Sequence, residues 1–253
     1  MDNAGQPLTI INGIPYGRGR EQRFDLYAVN ELEKKLPLII VFPGSWKQVK
    51  EKKPYIAVAR ALVKDNYTVA VAHCPPTEAS WPNQLNDARR AVQTIIREAE
   101  VLGGDPERIF LVGEGWGAFI ATQLILDERH NHWLPENRAH IRGWLTVDAL
   151  MSEPNLNSLP SGHELRMVFK EQGNWDAVQP LTLLTQGLPP LLAVLSSEAN
   201  FFTTEAFILE AAKLNNDVNL ILRPETASRI WREVGKHQHH IRTLLRPFII
   251  RHS

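Results

Sequence analysis

The chain holds one cysteine, Cys74, in 253 residues. A single cysteine excludes an intramolecular disulfide framework and is compatible with a reducing cytosol. There is no excess charge of either sign, since Lys plus Arg and Asp plus Glu both number 28. That balance gives no electrostatic footprint for nucleic acid or for an anionic membrane. Long hydrophobic runs are also missing. No apolar stretch approaches the ~20 residues that span a bilayer. The opening residues, Met1 to Pro7, contain no basic segment leading into an apolar one, so no signal peptide is expected. These absences predict a cytoplasmic protein without membrane or nucleic-acid partners.

What is present is ordinary for a globular domain. Hydrophobic residues make up 43% and charged residues 22%. The length suits one α/β domain spanning 1–253 with one sizeable core. Strand and helix patterns alternate along it. Arg23 to Val29 reads as a first strand, and Leu36 to Phe42 as a buried one. Tyr55 to Val63 has helical spacing, and Tyr67 to Ala72 is β-branched. From Leu85, the residues Ala88, Val92, Ile95, Ile96, Ala99 and Leu102 recur at intervals of three and four, which marks an amphipathic helix. Gly103 and Gly104 end it.

Asp105 to Arg108 then turns into the apolar strand Ile109 to Val112, and a helix-compatible run follows from Ala118 to Asp127. Ile141 to Val147, Leu191 to Leu195 and Val218 to Leu222 read as further strands. Thr204 to Leu214 and His239 to Ile250 read as helices, the latter kinked or shortened by Pro247. Residues 151–190 lack periodicity and are expected to be irregular or a small cap. Strands separated by helices predict a mostly parallel central sheet with helices on both faces.

One motif carries chemistry. Leu111-Val112-Gly113-Glu114-Gly115-Trp116-Gly117 has the spacing of the G-x-S-x-G nucleophile elbow, in the strand–turn–helix setting that motif requires. Its central residue is glycine, not serine.

Further signposts follow in order. Tyr16-Gly17 and Phe24-Asp25-Leu26-Tyr27 suit an opening hairpin. Phe42-Pro43-Gly44-Ser45-Trp46 occupies an oxyanion-loop position. Pro82-x-Gln84-Leu85-x-Asp87 starts the helix before the elbow strand, and Gly104-Asp105-Pro106-Glu107-Arg108-Ile109 leads into that strand. In this order and spacing, the chain resembles the α/β-hydrolase fold, and within it the arylformamidase-like and hormone-sensitive-lipase-like esterases. The resemblance covers nearly the whole chain from about Tyr16.

The resemblance also assigns catalytic positions. The nucleophile falls on Gly115. The acid falls on Glu198 in arylformamidase-like spacing, or on Asn200 in the commoner esterase spacing. The histidine falls on Ala227 or Ser228, and no histidine lies between Leu222 and Gly235. The family's His-Gly-Gly is replaced by Phe42-Pro43-Gly44. Proline has no N–H to give. Gly44 or Ser45, with Trp116, could still supply the N–H groups of an oxyanion hole.

A serine triad needs an Oγ to attack, an imidazole to take its proton and an acid to orient the imidazole. Glycine offers no nucleophile, and alanine or serine no base near neutral pH. The triad is therefore expected to be degenerate and no residue to act catalytically. Glycine also adopts an elbow's strained backbone angles freely.

Other candidates read more simply as structure. Ser45 is a small loop residue without an evident base. Asp148, at the end of the Ile141 to Val147 strand, suits a turn or cap. His130-Asn131-His132 and His237-Gln238-His239-His240 have no accompanying carboxylate or cysteine pattern, so no metal and no cofactor are expected. Trp46, Trp116 and Trp231, with Glu114, fall on loops that converge at the carboxyl ends of the strands, where this fold binds ligands. They form the expected pocket, with Trp81 nearby. Trp133, Trp144 and Trp175 are expected to be packing residues.

The reading is an esterase- or formamidase-like protein that binds a small molecule or a protein partner without hydrolysing it. One alternative is a hydrolase or lyase with rebuilt chemistry, using Glu114 or Glu198 as base. Another is a structural or regulatory subunit, such as a homodimer formed through an edge strand or the terminal helix.

Overall fold

The structure is a computed structural model that describes residues 8–29, 34–44, 53–74, 81–127, 140–152, 155–158, 164–196, 201–232 and 240–253. Its strands are β1 (Leu8–Pro15), β2 (Arg23–Val29), β3 (Leu36–Phe42), β4 (Thr68–His73), β5 (Gly104–Glu114), β6 (Ile141–Val147), β7 (Leu191–Leu195) and β8 (Val218–Leu222). Its helices are α1 (Lys53–Val63), α2 (Asn83–Val101), α3 (Gly115–Leu126), α4 (Glu164–Phe169), α5 (Gln172–Asp176), α6 (Phe201–Lys213), α7 (Ala227–Arg232) and α8 (His240–His252).

The strands form one eight-stranded sheet in the order β1-β2-β4-β3-β5-β6-β7-β8. β2 pairs antiparallel with both β1 and β4, and every pairing from β4 across to β8 is parallel. Every residue of β3 (LPLIIVF) and β4 (TVAVAH) is buried. A parallel strand covered by helices on both faces needs this continuous apolar run rather than alternation.

Two cores flank the sheet. One holds the apolar faces of α2 and α3, with Phe169, Trp175, Phe207 and Ala211 from α4, α5 and α6. The other holds Val58, Leu62, Ile230, Trp231, Leu245 and Ile249 from α1, α7 and α8. The α2 residues Leu85, Ala88, Val92, Ile95 and Ala99 are buried, as their spacing predicts. α3 is buried from Trp116 to Leu126, because the sheet lies on one side and α4 and α5 on the other.

The structure differs from the sequence reading at several points. β1 precedes Arg23–Val29, which is therefore the second strand. β5 begins at Gly104, so the Asp105–Arg108 turn is an irregularity within a paired strand. α8 spans His240–His252 with Pro247 inside it, so the proline does not shorten it. The loop assigned to Ala227 is the start of α7, a helix too short to leave a periodic pattern. Residues 151–190, expected to be irregular or a small cap, include α4, α5 and 3-10 turns at Leu156–Ser158 and Pro180–Leu183. Among the described residues no helix is long and apolar enough to cross a membrane.

Candidate functional site

The turn from β5 into α3 is set by three glycines with separate roles. Glu114 is extended (φ −124°, ψ 137°) and Gly115 follows in the left-handed region (φ +50°). That reversal points the chain directly into α3, and glycine adopts it at least cost. Gly113 and Gly117 serve close packing instead. A Cβ on Gly113 would lie 2.5 Å from the Ala118 backbone, and one on Gly117 would lie 2.2 Å from the Phe42 carbonyl oxygen. The helix start therefore sits directly against the end of β3.

The N–H groups nearest Gly115 are used within the protein. Trp116 N–H donates to the Gly44 carbonyl at 3.1 Å. Gly44 N–H donates to the Tyr55 hydroxyl at 2.9 Å, and that hydroxyl donates to Glu114 Oε2 at 2.7 Å. The result is a closed circuit across β3, α1, β5 and α3. Gly44 has no room for a side chain, since a Cβ would meet the Glu114 side chain at 2.8 Å. Of the backbone donors that the sequence assigns to an oxyanion hole, those of Gly44 and Trp116 are thus turned onto protein acceptors. Ser45 lies outside the described residues.

The aromatic side chains near the elbow divide between the two cores. The Trp116 ring stacks on Phe119 at 5.0 Å, and Phe119 in turn meets Trp81 at 5.5 Å and Trp175 at 5.8 Å. Phe169 of α4 joins both Trp81 and Trp175. Trp116 is 8% exposed and Trp175 fully buried. Such a cluster contributes area burial plus about 0.5–1.5 kcal/mol per favourable ring pair. Trp231 is 1% exposed and lies across the sheet, 5.4 Å from the Tyr55 ring. It is a core residue of that face, and it supports the tyrosine that binds Gly44. Trp144 is also buried, while Trp46 and Trp133 lie outside the described residues.

Asp148, a turn residue by sequence, has φ +51° at the end of β6. Its carboxylate accepts from the Ser196 N–H at 2.7 Å and from the Ser196 hydroxyl at 2.5 Å. It fixes the exit of β7, immediately before the segment that contains Glu198 and Asn200. Those two residues are outside the described residues. Ala227 and Ser228 form the first positions of α7.

A second polar cluster lies at the end of β4. The Tyr16 hydroxyl donates to the His73 carbonyl at 2.5 Å, and His73 Nε2 lies 3.3 Å from Asp25 Oδ2. Burial pushes the Cys74 thiol up to about 12, with the nearby Asp87 adding to it and a hydrogen bond with Tyr16 opposing it. The thiol therefore stays protonated and unreactive near neutral pH. Among the described residues no group of three or more His, Cys, Asp or Glu side chains could hold a metal ion. His130, His132, His237 and His239 lie outside them.

Comparison with known proteins agrees with this architecture. The family model BD-FAE matches residues 24–143. Esterase LipQ of Mycobacterium tuberculosis is 23% identical over 197 residues, covering 72% of this chain and 47% of LipQ. Kynurenine formamidase of Salmo salar is 26% identical over 122 residues, covering 48% of this chain and 40% of that enzyme. The matches thus span about half the length of these relatives or less. Among solved structures, a truncated carbohydrate esterase from gut microbiota superposes with a TM-score of 0.77 at 12% identity, over 95% of each chain. Esterase 2 of Thermogutta terrifontis with propionate bound gives 0.71 at 16% identity, over 98% of this chain and 94% of that one.

The chain has the α/β-hydrolase fold. Its sequence similarity runs to the arylformamidase-like and hormone-sensitive-lipase-like esterases. The α/β-hydrolase sheet and its helices on both faces are present. Sequence reasoning missed Tyr55, whose hydroxyl touches both Gly44 and Glu114. Its only signal was a tyrosine in the first turn of a helix otherwise lined by small and aliphatic residues. The Phe119 and Phe169 rings were likewise invisible as members of the elbow's surroundings until α4 was placed.

Proposed function

We propose that this α/β-hydrolase-fold protein acts by binding rather than by ester or amide hydrolysis. The observation that carries the reading is the closed circuit at the elbow. Gly115 offers no Oγ, and the Trp116 and Gly44 N–H groups donate to the Gly44 carbonyl and the Tyr55 hydroxyl. Electrostatic stabilisation by an oxyanion hole requires donors aimed at the developing negative charge, and losing one costs about 10²–10³ in kcat. Here the Gly44 and Trp116 donors are committed elsewhere. The rings of Trp116, Trp81, Phe119, Phe169 and Trp175 pack on one another beside the elbow, which favours a protein partner over a small molecule lodged among them.

A restoration series tests this. Gly115→Ser alone is expected to give no hydrolysis of short-chain aryl esters or N-formyl aromatic amines. Such a serine has neither a base nor a free donor pair. Gly115→Ser combined with Ala227→His is expected to give at most a trace. Clear esterase turnover from Gly115→Ser alone would overturn the reading, because it would require an imidazole and an open oxyanion hole already in place.

A further inference from the structure

The start of α2 is a helix end without a cap. Its N-cap position is Pro82, no side chain caps it by a hydrogen bond, and its first turn contains no acid. The first N–H groups of an α-helix have no partner inside the helix. The 19 residues of α2 add the positive end of a helix dipole to those donors. The first acid of α2, Asp87, is engaged elsewhere. Its carboxylate accepts from Gln22 Nε2 at 2.8 Å and pairs with Arg90.

Two side chains beside this end hold polar groups that no protein group uses. Gln84, in the first turn of α2, is 3% exposed, yet its Oε1 is covered without a hydrogen-bond partner. A side-chain amide placed this deeply normally has one. The amide nitrogen is not among the covered atoms. Helical side chains lean towards the helix N-terminus, so this nitrogen faces the open end of α2. The second side chain is Trp116. The indole N–H groups of Trp81, Trp144 and Trp231 are covered by protein. The indole N–H of Trp116 is neither covered nor hydrogen-bonded among the described residues. Trp116 packs its ring on Phe119 and keeps its N–H edge outermost.

Ring packing brings the two together. Trp81, which directly precedes Pro82, meets Phe119 and Phe169, both at 5.5 Å. Trp116 meets the same two rings at 5.0 and 6.5 Å. Phe119 and Phe169 thus hold the α2 start beside the Trp116 indole. The Glu114 carboxylate is turned away, onto Tyr55 in the core on the other side of the sheet. An indole N–H, an amide N–H and the N–H groups of a helix end suit planar oxygens that share one negative charge. Phosphate recognition favours Arg and Lys, and this set contains neither. The flanking rings suit an apolar neighbour to the charged group.

We infer that the α2 start, with Gln84 and Trp116, binds the carboxylate of a ligand whose adjoining part is apolar. One oxygen accepts from Trp116 Nε1 and the other from Gln84 Nε2, over the first N–H groups of α2. A free organic acid carries such a group, and so does the C-terminus of a polypeptide. The inference rests on the reading of the protein as a binder. It uses none of the elbow's backbone donors, so its failure would leave the absence of hydrolysis standing.

NMR titration of the isotope-labelled chain, followed through its indole N–H resonances, tests the proposal. The probes are hydrocinnamate and the peptide acetyl-Gly-Gly-Phe with a free C-terminus, and their primary amides are the neutral controls. At least one acid is expected to bind in the millimolar range or tighter and to shift the resonance that Trp116→Phe removes. It should bind about tenfold or more tightly than its amide, as one charge-assisted hydrogen bond implies. The tighter of the two acids identifies the source, a polypeptide terminus or a free acid. Trp116→Phe and Gln84→Leu are each expected to weaken binding about tenfold. Unchanged thermal melting separates a lost contact from a lost fold, and the comparison of acid with amide on the wild type needs no variant. Failure of both acids to bind at several millimolar would overturn the proposal. So would an amide bound as tightly as its acid, or an affinity that both substitutions leave intact.

Discussion

A side chain at position 115 would have to adopt φ +50° with its Cβ 3.2 Å from the Gly44 carbonyl oxygen. Gly115→Ser is therefore expected to cost about 1–2 kcal/mol, the usual cost of left-handed backbone for a residue with a Cβ. At position 117 the obstacle is harder. A Cβ there would lie 2.2 Å from the Phe42 oxygen and 2.5 Å from the Pro43 oxygen, both backbone atoms that cannot swing aside. Gly117→Ala should cost about 3 kcal/mol by overpacking and lower the melting temperature by roughly 10 °C. A melting scan showing Gly117→Ala more stable than Gly115→Ser would contradict this account of the elbow. The sequence made the glycine at 115 visible as a departure from a motif. It did not show that the neighbouring donors are also engaged, because that depends on Tyr55, distant in sequence and brought to Gly44 only by the packing of α1.

At the scale of elements, β5 carries the elbow at its carboxyl end and an irregular entry at its amino end. Asp105 stabilises that entry. Its Oδ1 accepts from the Glu107 N–H at 2.9 Å and its Oδ2 from Arg108 Nε at 2.6 Å. Burial alone would raise the Asp105 carboxyl, but the Arg108 and Glu107 hydrogen bonds outweigh it and hold the carboxyl below the usual aspartate range. A depressed carboxyl stabilises the fold above its unfolded-state value, and that contribution is lost as pH falls through the depressed value. Asp105→Asn should therefore cost about 1–2 kcal/mol near neutral pH and almost nothing in strong acid. Equal losses at both pH values, read by denaturant unfolding, would contradict this. The long elements were legible in the sequence because their patterns are strong: β3 is one apolar run, and α2 repeats at helical spacing. α4, α5 and α7 were not, because helices of five or six residues place too few apolar side chains to show a period. β1 was missed for a related reason, as an edge strand with mixed burial and a central glycine lacks clean alternation.

At the scale of the whole molecule, the α/β-hydrolase fold carries Gly115 at its strand-to-helix turn, with the Trp116 and Gly44 N–H groups on protein acceptors. Aromatic rings pack on one another beside Gly115, and Tyr55 ties Glu114 to Gly44, which is the arrangement behind the proposal of binding without hydrolysis. The most direct test of this claim is turnover by the purified wild-type chain on short-chain aryl esters and N-formyl aromatic amines, alongside labelling by a fluorophosphonate probe located by mass spectrometry. The account predicts rates equal to those of buffer and no labelled serine. Saturable turnover well above background, or stoichiometric labelling of one residue beside Gly115, would contradict it.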